Sequence, residues 1–525
     1  MTQLIREREK CDQTKPACLK CTRSGRKCLT ASIIEQPGFS INDENSYASG
    51  KLKRPRGPRS NLTLLRPQFD LEARALDYFL LHHVVQLDDL LGGMPDVAQG
   101  LCGTTAIWKA SGRNSVMVDK ALTCVSMAVF ARTRQAPIVA VDASVKYGRL
   151  LRMMQQKVQN FPLLALTSPG NENEEVSIDA YLLTMLLMGR YESTMHDYSG
   201  IPNLYQVAPS LHRWIHHEGA LTILRRWSEA ASNGRASAPT NIMKLSRRGM
   251  LQSSLRQNIP LQDWIIDGSR FGECGLGLEY DGILVATVDL YQRVGSMIRS
   301  HSLIESTRLE LIEEAHVIDT RLQEWASRFP DAGALQWHTL APNPGPWSHA
   351  DYHPSTIDHF DEPRYATVWI QYFATRMLVK STCLSVFDVG VQVCGPSFDS
   401  SFVEQHRSEC SQQLHRLADR MVSAVVAFSH LGKTGRKETM RRPVGSHDQE
   451  STMVEGKPSV AGLIIWPLAV AASINGLEPR QQQWFRAEIA RIGKSIGNGF
   501  FELAATCPEW TILGRSEDHS PVAGH

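Results

Sequence analysis

Ile178-Asp-Ala-Tyr-Leu-Leu-Thr-Met-Leu-Leu-Met-Gly-Arg-Tyr-Glu-Ser-Thr194 is apolar on nearly every side of a 3.6-residue spiral. Its centre, Tyr181 to Met188, is too short to span a bilayer and lacks the alternation of a half-buried strand. A helix of this kind needs other helices around it, so the segment is read as the core helix of a helical domain. Helical spacing recurs on both sides. Asp70 suits a helix cap, and Leu71, Ala75, Phe79, Leu80, Leu87 and Leu91 follow at helical intervals. Val116 to Arg132 and Ala143 to Asn160 behave alike. Further helices are expected over roughly 209–226, 240–256, 281–300, 306–328, 362–387, 404–430, 459–475 and 479–505. Alternating runs are nearly absent, so the fold class is all-α, with many antiparallel helices in one large domain over 66–510 and a tail over 511–525. Two stretches break the pattern: 336–361, rich in Pro, His and Asp, and a charged insert at about 432–458 that is expected to be disordered.

The other end of the chain has a different chemistry. Residues 11–28 read Cys11-x6-Cys18-x2-Cys21-x6-Cys28, and the first 28 residues also hold eight cations: Arg6, Arg8, Lys10, Lys15, Lys20, Arg23, Arg26 and Lys27. Thiolates at short spacing can gather around one zinc ion, and the cations between them suit a polyanion. A redox role for Cys18-x2-Cys21 lacks the βαβ setting it needs, and disulfides need an oxidising compartment that no signal peptide here points to. The other cysteines, Cys102, Cys124, Cys274, Cys383, Cys394, Cys410 and Cys507, are scattered and read as small buried hydrophobes.

Charge is unevenly spread. The 525 residues sum to +2, yet residues 1–60 carry +7 and the remainder −5. A basic end on a mildly acidic body is the asymmetry of a chain that touches nucleic acid at one end. Residues 31–65 lack a periodic apolar pattern and read as a basic linker. Within it, Lys51, Lys53, Arg54, Arg56 and Arg59 form a proline-broken basic run, assigned to nuclear localisation or to extra phosphate contacts.

Residues 11–28 resemble the last four ligand positions of the fungal binuclear zinc-cluster (Zn2Cys6) DNA-binding domain. Asp12, Pro16 and Gly25 match its pattern as well. Counting back from Cys11, the family's first two cysteines would fall at positions 4 and 1, where this chain has Leu4 and Met1. Either the natural chain begins further upstream, or the module is degenerate and takes one zinc or none. In the family a short helix before the third cysteine reads CGG-like triplets in the major groove. Arg8 and Lys10 match those positions, and Glu7 replaces a usual cation. Arg6 adds to the same basic run, while Lys15, Lys20, Arg23, Arg26 and Lys27 match phosphate contacts.

The body resembles, more loosely, the regulatory domain that follows many such clusters. The matching residues are Tyr147-Gly148 with Leu150-Leu151, Leu186-Leu187 with Tyr191-Glu192, and Trp214-Ile-His-His217-Glu-Gly219-Ala220. Trp369 with Tyr372 and Arg376, Trp466 to Ala471, Trp484, and Ile492-Gly493 follow in order.

Together these resemblances imply a nuclear, zinc-dependent, sequence-specific regulator of RNA polymerase II genes, with a metabolic or secondary-metabolite gene cluster as its target. Its partners would be double-stranded DNA with CGG-like sites and the transcription machinery or co-regulators. A homodimer stays open, although no heptads follow the cluster to build a coiled coil. The alternative is a regulator without autonomous DNA binding that acts as a protein-interaction or ligand-sensing helical module. No catalytic role is expected: G-x-S-x-G, Walker A and H-E-x-x-H patterns are absent. His212 and His216 stand four apart without a third metal ligand. Gly275-x-Gly277 reads as a loop outside any dinucleotide-binding setting. No apolar run spans a bilayer; the longest, Ala461 to Ile474, holds Pro467 and reads as a buried helix.

Overall fold

The computed structural model describes residues 68–84, 105, 108, 113–159, 177–196, 209–300, 305–328, 336–339, 356–360, 363–394, 400–434 and 458–514. The chain divides between Arg66 and Pro67, and every described residue belongs to the second unit. That unit is all-α. Its helices are α1 (Gln68–Phe79, running into a π turn over Leu80–Val84), α2 (Val116–Thr133), α3 (Pro137–Gln159), α4 (Ile178–Met195), α5 (Pro209–Ser232) and α6 (Asn241–Gln257). They continue as α7 (Gly275–Ser300), α8 (Glu305–Ser327), α9 (Pro363–Cys394), α10 (Ser400–Thr434), α11 (Ile465–Ser473) and α12 (Pro479–Ser495).

Local chemistry explains the boundaries. Ser177 Oγ accepts from the Ala180 amide and starts α4. Thr240 Oγ1 does the same for Met243 at α6, and Pro137 and Pro479 occupy first-turn positions where no amide hydrogen is needed. Asp70 is not a cap: α1 begins at Gln68, which puts Asp70 in the first turn, where negative charge suits the helix dipole. Gly275-x-Gly277 is likewise no loop but the start of α7. Within the 336–361 break, Gln336–Thr339 and Thr356–His359 pair as two short antiparallel strands, β1 and β2, with Gln336 opposite His359. Most of the insert assigned to disorder, together with Leu87 and Leu91, lies outside the described residues; α10 runs on to Thr434 and a helical turn resumes at Pro458.

Two hydrophobic cores form. The first gathers Phe79, Val125, Leu150, Leu182, Leu183, Leu224, Trp227 and Phe271 around α2 and α4. The second gathers Leu322, Trp325, Ile370, Met377, Leu414, Met421, Phe485 and Ile492 around α9 and α10. Each such side chain contributes about 1.5–3 kcal/mol on burial. The stretch 178–194 is buried nearly all round, as its composition dictates.

Helix α6 joins the two cores, with Met243 and Met250 in the first and Leu251 and Leu255 in the second. Its fully buried Arg247 donates to Asp281 through Nη1 at 2.6 Å and Nη2 at 2.9 Å, and to the Ile265 and Ile266 carbonyls. Gly268 gives Asp281 its room, since a Cβ there would collide with Oδ2. Further along the seam, Arg132 holds Glu502 in a two-toothed pair at 2.9 and 2.7 Å and also donates to the Thr194 and His196 carbonyls.

Candidate functional site

The zinc ligands Cys11, Cys18, Cys21 and Cys28, the DNA-contacting cations Arg6 to Lys27, and the basic run Lys51 to Arg59 all lie outside the described residues. Two polar features stand out within the helical body: a buried triangle of side chains and a cavity.

The triangle joins three of the motifs quoted from the sequence. Tyr147 on α3 donates to Glu192 Oε1 on α4 at 2.6 Å and contacts His216 Nε2 on α5 at 2.8 Å; His216 Nε2 lies 2.9 Å from the same carboxylate oxygen. Tyr191 stacks on Tyr147 with ring centres 4.0 Å apart. Three helices are thus pinned by one carboxylate, whose Oε2 is buried without a partner. The side chain of His212 lies outside the described residues. Among the described residues, no group of three or more His, Cys, Asp or Glu side chains could hold a metal.

A second motif set also has a partner the sequence did not indicate. Arg376 on α9 donates to both oxygens of Asp319 on α8, at 2.6 and 3.0 Å, and Lys380 Nζ joins at 3.0 Å. Trp369 packs edge-on against Tyr372, whose ring carries the Arg376 guanidinium. Burial raises the carboxyl of Asp319, but Arg376 and Lys380 outweigh it and hold the group below the usual carboxylate range.

The cysteines divide. Cys124, Cys383 and Cys410 are buried, as read, and burial pushes the Cys124 thiol up to about 12. Cys383 is pushed up by its hydrogen bond with Cys410 and by burial. Cys274 departs from the reading and is exposed, because it sits in the short turn just before α7. Cys507 is half-buried. Cys102 and the side chain of Cys394 fall outside the described residues.

The cavity lies inside the second unit, between α7, α9, α12 and the segment around Trp510, with a volume of about 380 Å³. A neighbouring space of about 290 Å³ shares Ser381, Ser385 and Asn475 with it. Sequence reasoning did not locate either. One signal was present: Ser381 and Ser385 stand four apart on α9, so two hydroxyls share one face. Asn258 at the end of α6 was a second, as asparagine tolerates the left-handed conformation it adopts there, φ +52°.

No family model matches the chain, and neither a curated protein nor a solved structure matches it. No helix among the described residues is long and apolar enough to cross a membrane.

Proposed function

We propose that the chain is a zinc-dependent, DNA-binding regulator of transcription that acts in the nucleus, with a basic metal-binding front and a helical regulatory body. The observation that carries this reading is the array Cys11-x6-Cys18-x2-Cys21-x6-Cys28 interleaved with cations. The donor set fits one zinc: four thiolates fill one tetrahedral shell, and a two-zinc, six-thiolate cluster needs two more. Bound there, zinc would supply structure only, since so short a segment has no core without metal. The chain's own contribution is electrostatic. Arg8 and Lys10 are placed by the resemblance to meet guanine edges, and Lys15, Lys20, Arg23, Arg26 and Lys27 to meet phosphates. Glu7 and Glu9 oppose the strand, so binding is weak and phosphate-dominated. The zinc-free alternative, a regulator acting through its body alone, draws its support from the cavity.

Metal analysis and duplex binding separate the two. One zinc per chain, lost in Cys18→Ser, and a steep fall of affinity for CGG-containing duplex with added salt are expected. Two zinc ions per chain, or a roughly thousandfold preference for CGG over scrambled duplex at physiological salt, would overturn the one-zinc, phosphate-dominated form. Zinc-free protein with no affinity for either duplex would leave the alternative standing.

A further inference from the structure

Cys383 on α9 and Cys410 on α10 belong to one hydrogen-bonded chain. The Cys383 thiol is hydrogen-bonded to the Cys410 sulfur. Cys410 Sγ in turn donates at 3.5 Å to the carbonyl of Lys380, which lies one turn before Cys383. A second contact fixes the register of the two helices independently. Arg407 Nε donates to Asp388 Oδ1 at 2.8 Å, so a residue just before Cys410 meets a residue just after Cys383. The helices therefore run antiparallel here, and each sulfur faces the other from a fixed backbone.

A thiol is only a weak hydrogen-bonding group, so a core that needs two small apolar side chains gains little from placing two thiols in contact. Cys124 shows the plain core case, at 1% exposed. Cys383 and Cys410, at 8% each, sit nearer the rim of their core, while Met377 and Leu414, about one turn away, are fully enclosed. Leu384 and Ser411, the residues next to the two cysteines, line the space of about 290 Å³. A water takes up roughly 30 Å³, so a small hydroperoxide has room one residue away from the pair. The pair is also polarised. The hydrogen bond from Cys383, helped by the Lys380 ammonium, outweighs burial and lowers the Cys410 thiol, and the thiolate is the attacking form.

We propose that Cys383 and Cys410 are a redox-sensitive pair that closes to a disulfide between α9 and α10 when it meets a hydroperoxide. The Cys410 thiolate attacks one oxygen of hydrogen peroxide. The O–O bond breaks, Cys410 becomes a sulfenic acid, and hydroxide leaves and takes up the proton that the thiol released. The Cys383 sulfur then attacks the Cys410 sulfur. The S–S bond forms, the S–O bond breaks, and the departing hydroxide leaves as water with the Cys383 proton. In sum two thiols lose two electrons and two protons, and the peroxide is reduced to two waters. In a reducing compartment such a disulfide is transient and sensing, not a permanent staple. Its effect is to tie together the two long helices around which the second core is built. The inference uses neither the zinc array nor DNA.

The test treats the reduced full chain with hydrogen peroxide, blocks the remaining thiols with iodoacetamide and maps the unreduced digest by mass spectrometry. A peptide pair joined through Cys383 and Cys410, lighter by two hydrogens than the separate peptides, is expected. The linked chain should melt higher by about 3–10 °C, because the bond closes the loop from Cys383 to Cys410 in the unfolded ensemble. Cys383→Ser should lose the link and strand Cys410 as a sulfenic acid, read as a dimedone adduct that the parent does not give. Exposed Cys274 serves as the control that the oxidant is active. Cysteines of the metal-binding front oxidise on peptides of their own, so the result stands apart from the zinc reading. Free Cys383 and Cys410 in a parent whose Cys274 is oxidised would overturn the proposal, as would Cys410 joined to Cys394 instead. A linked chain that melts below the reduced one would show that closure distorts the helices, and would overturn it too. Should Cys383→Ser not fold, the map of the parent alone decides.

Discussion

His83 sits in the π turn that ends α1, 2% exposed and stacked on Phe79. Burial, reinforced by the charges of Arg190 and His82, pulls it down to about 3. A buried histidine held neutral stabilises fully above its unfolded value near 6.5, and that stability is lost as pH falls from there toward 3. The loss is about 1.4 kcal/mol per pH unit below 6.5. His83→Leu should therefore flatten the urea-melt stability between pH 6.5 and 4.5 relative to the parent; parallel curves would show that the ring is not the group responsible. Glycines give an equally local test. Gly268→Ala drives a methyl into Asp281 and should cost about 3–5 kcal/mol by breaking its pair with buried Arg247. Gly148→Ala meets nothing within 4 Å and should stabilise α3 by about 0.5–1 kcal/mol. A loss at Gly148 comparable to that at Gly268 would refute the steric account. None of this could be read from sequence, where both residues are simply glycines inside or beside helical patterns.

At the scale of the element, the sequence was most legible where apolar residues recur without interruption. The all-round apolar stretch of α4 and the pattern of α2 are found within a residue or two of their ends. Precision fell where the deciding partner is remote in sequence. Asp319 looks like an ordinary acid on the polar face of α8, and only packing against α9 makes it the shared anchor of Arg376 and Lys380. Asp319→Ala leaves two cations nearly buried and unanswered and should cost about 3–5 kcal/mol. Adding Arg376→Met should recover part of that loss, read in chemical denaturation; strict additivity of the two variants would show that they do not interact. Asp319 also adds an acid limb to stability. Its depressed titration contributes above the ordinary carboxylate value and is lost as pH falls through its folded value. The short strands β1 and β2 escaped notice because four residues each carry too little alternation to stand out among Pro, His and Asp.

For the whole molecule, the body's two cores are built from apolar residues on helices within 68–514, and among the described residues no cluster of three or more His, Cys, Asp or Glu side chains could hold an ion. Chelator added to the full chain should leave its helical circular dichroism and melting temperature within about 1 °C, while any affinity for duplex DNA disappears. A large fall in melting temperature on chelation would mean that the zinc array and the body stabilise each other. The candidate site was half legible at this scale. The cysteine array was evident because its ligands are close in sequence. The cavity was not, because Asn258, Ser381 and Arg486 come from segments more than a hundred residues apart.

The second core is closed late. Trp510, Ile512 and Leu513 are part of it, the Gly514 amide donates to the Leu255 carbonyl, and Tyr291 donates to the Gly514 carbonyl. The buried apolar residues of the first core end at Phe271, while the polar ties of Arg132 to Glu502 and of Arg190 to the Ile496 carbonyl reach beyond it. On the ribosome, where N-terminal parts fold first, residues 75–271 can settle early. The helices from 275 onward must wait with their apolar faces open until residue 514 has emerged. A nascent chain of this protein therefore stays half finished while residues 272 to 514 are made, and the long α9 and α10 are the surfaces a chaperone would meet.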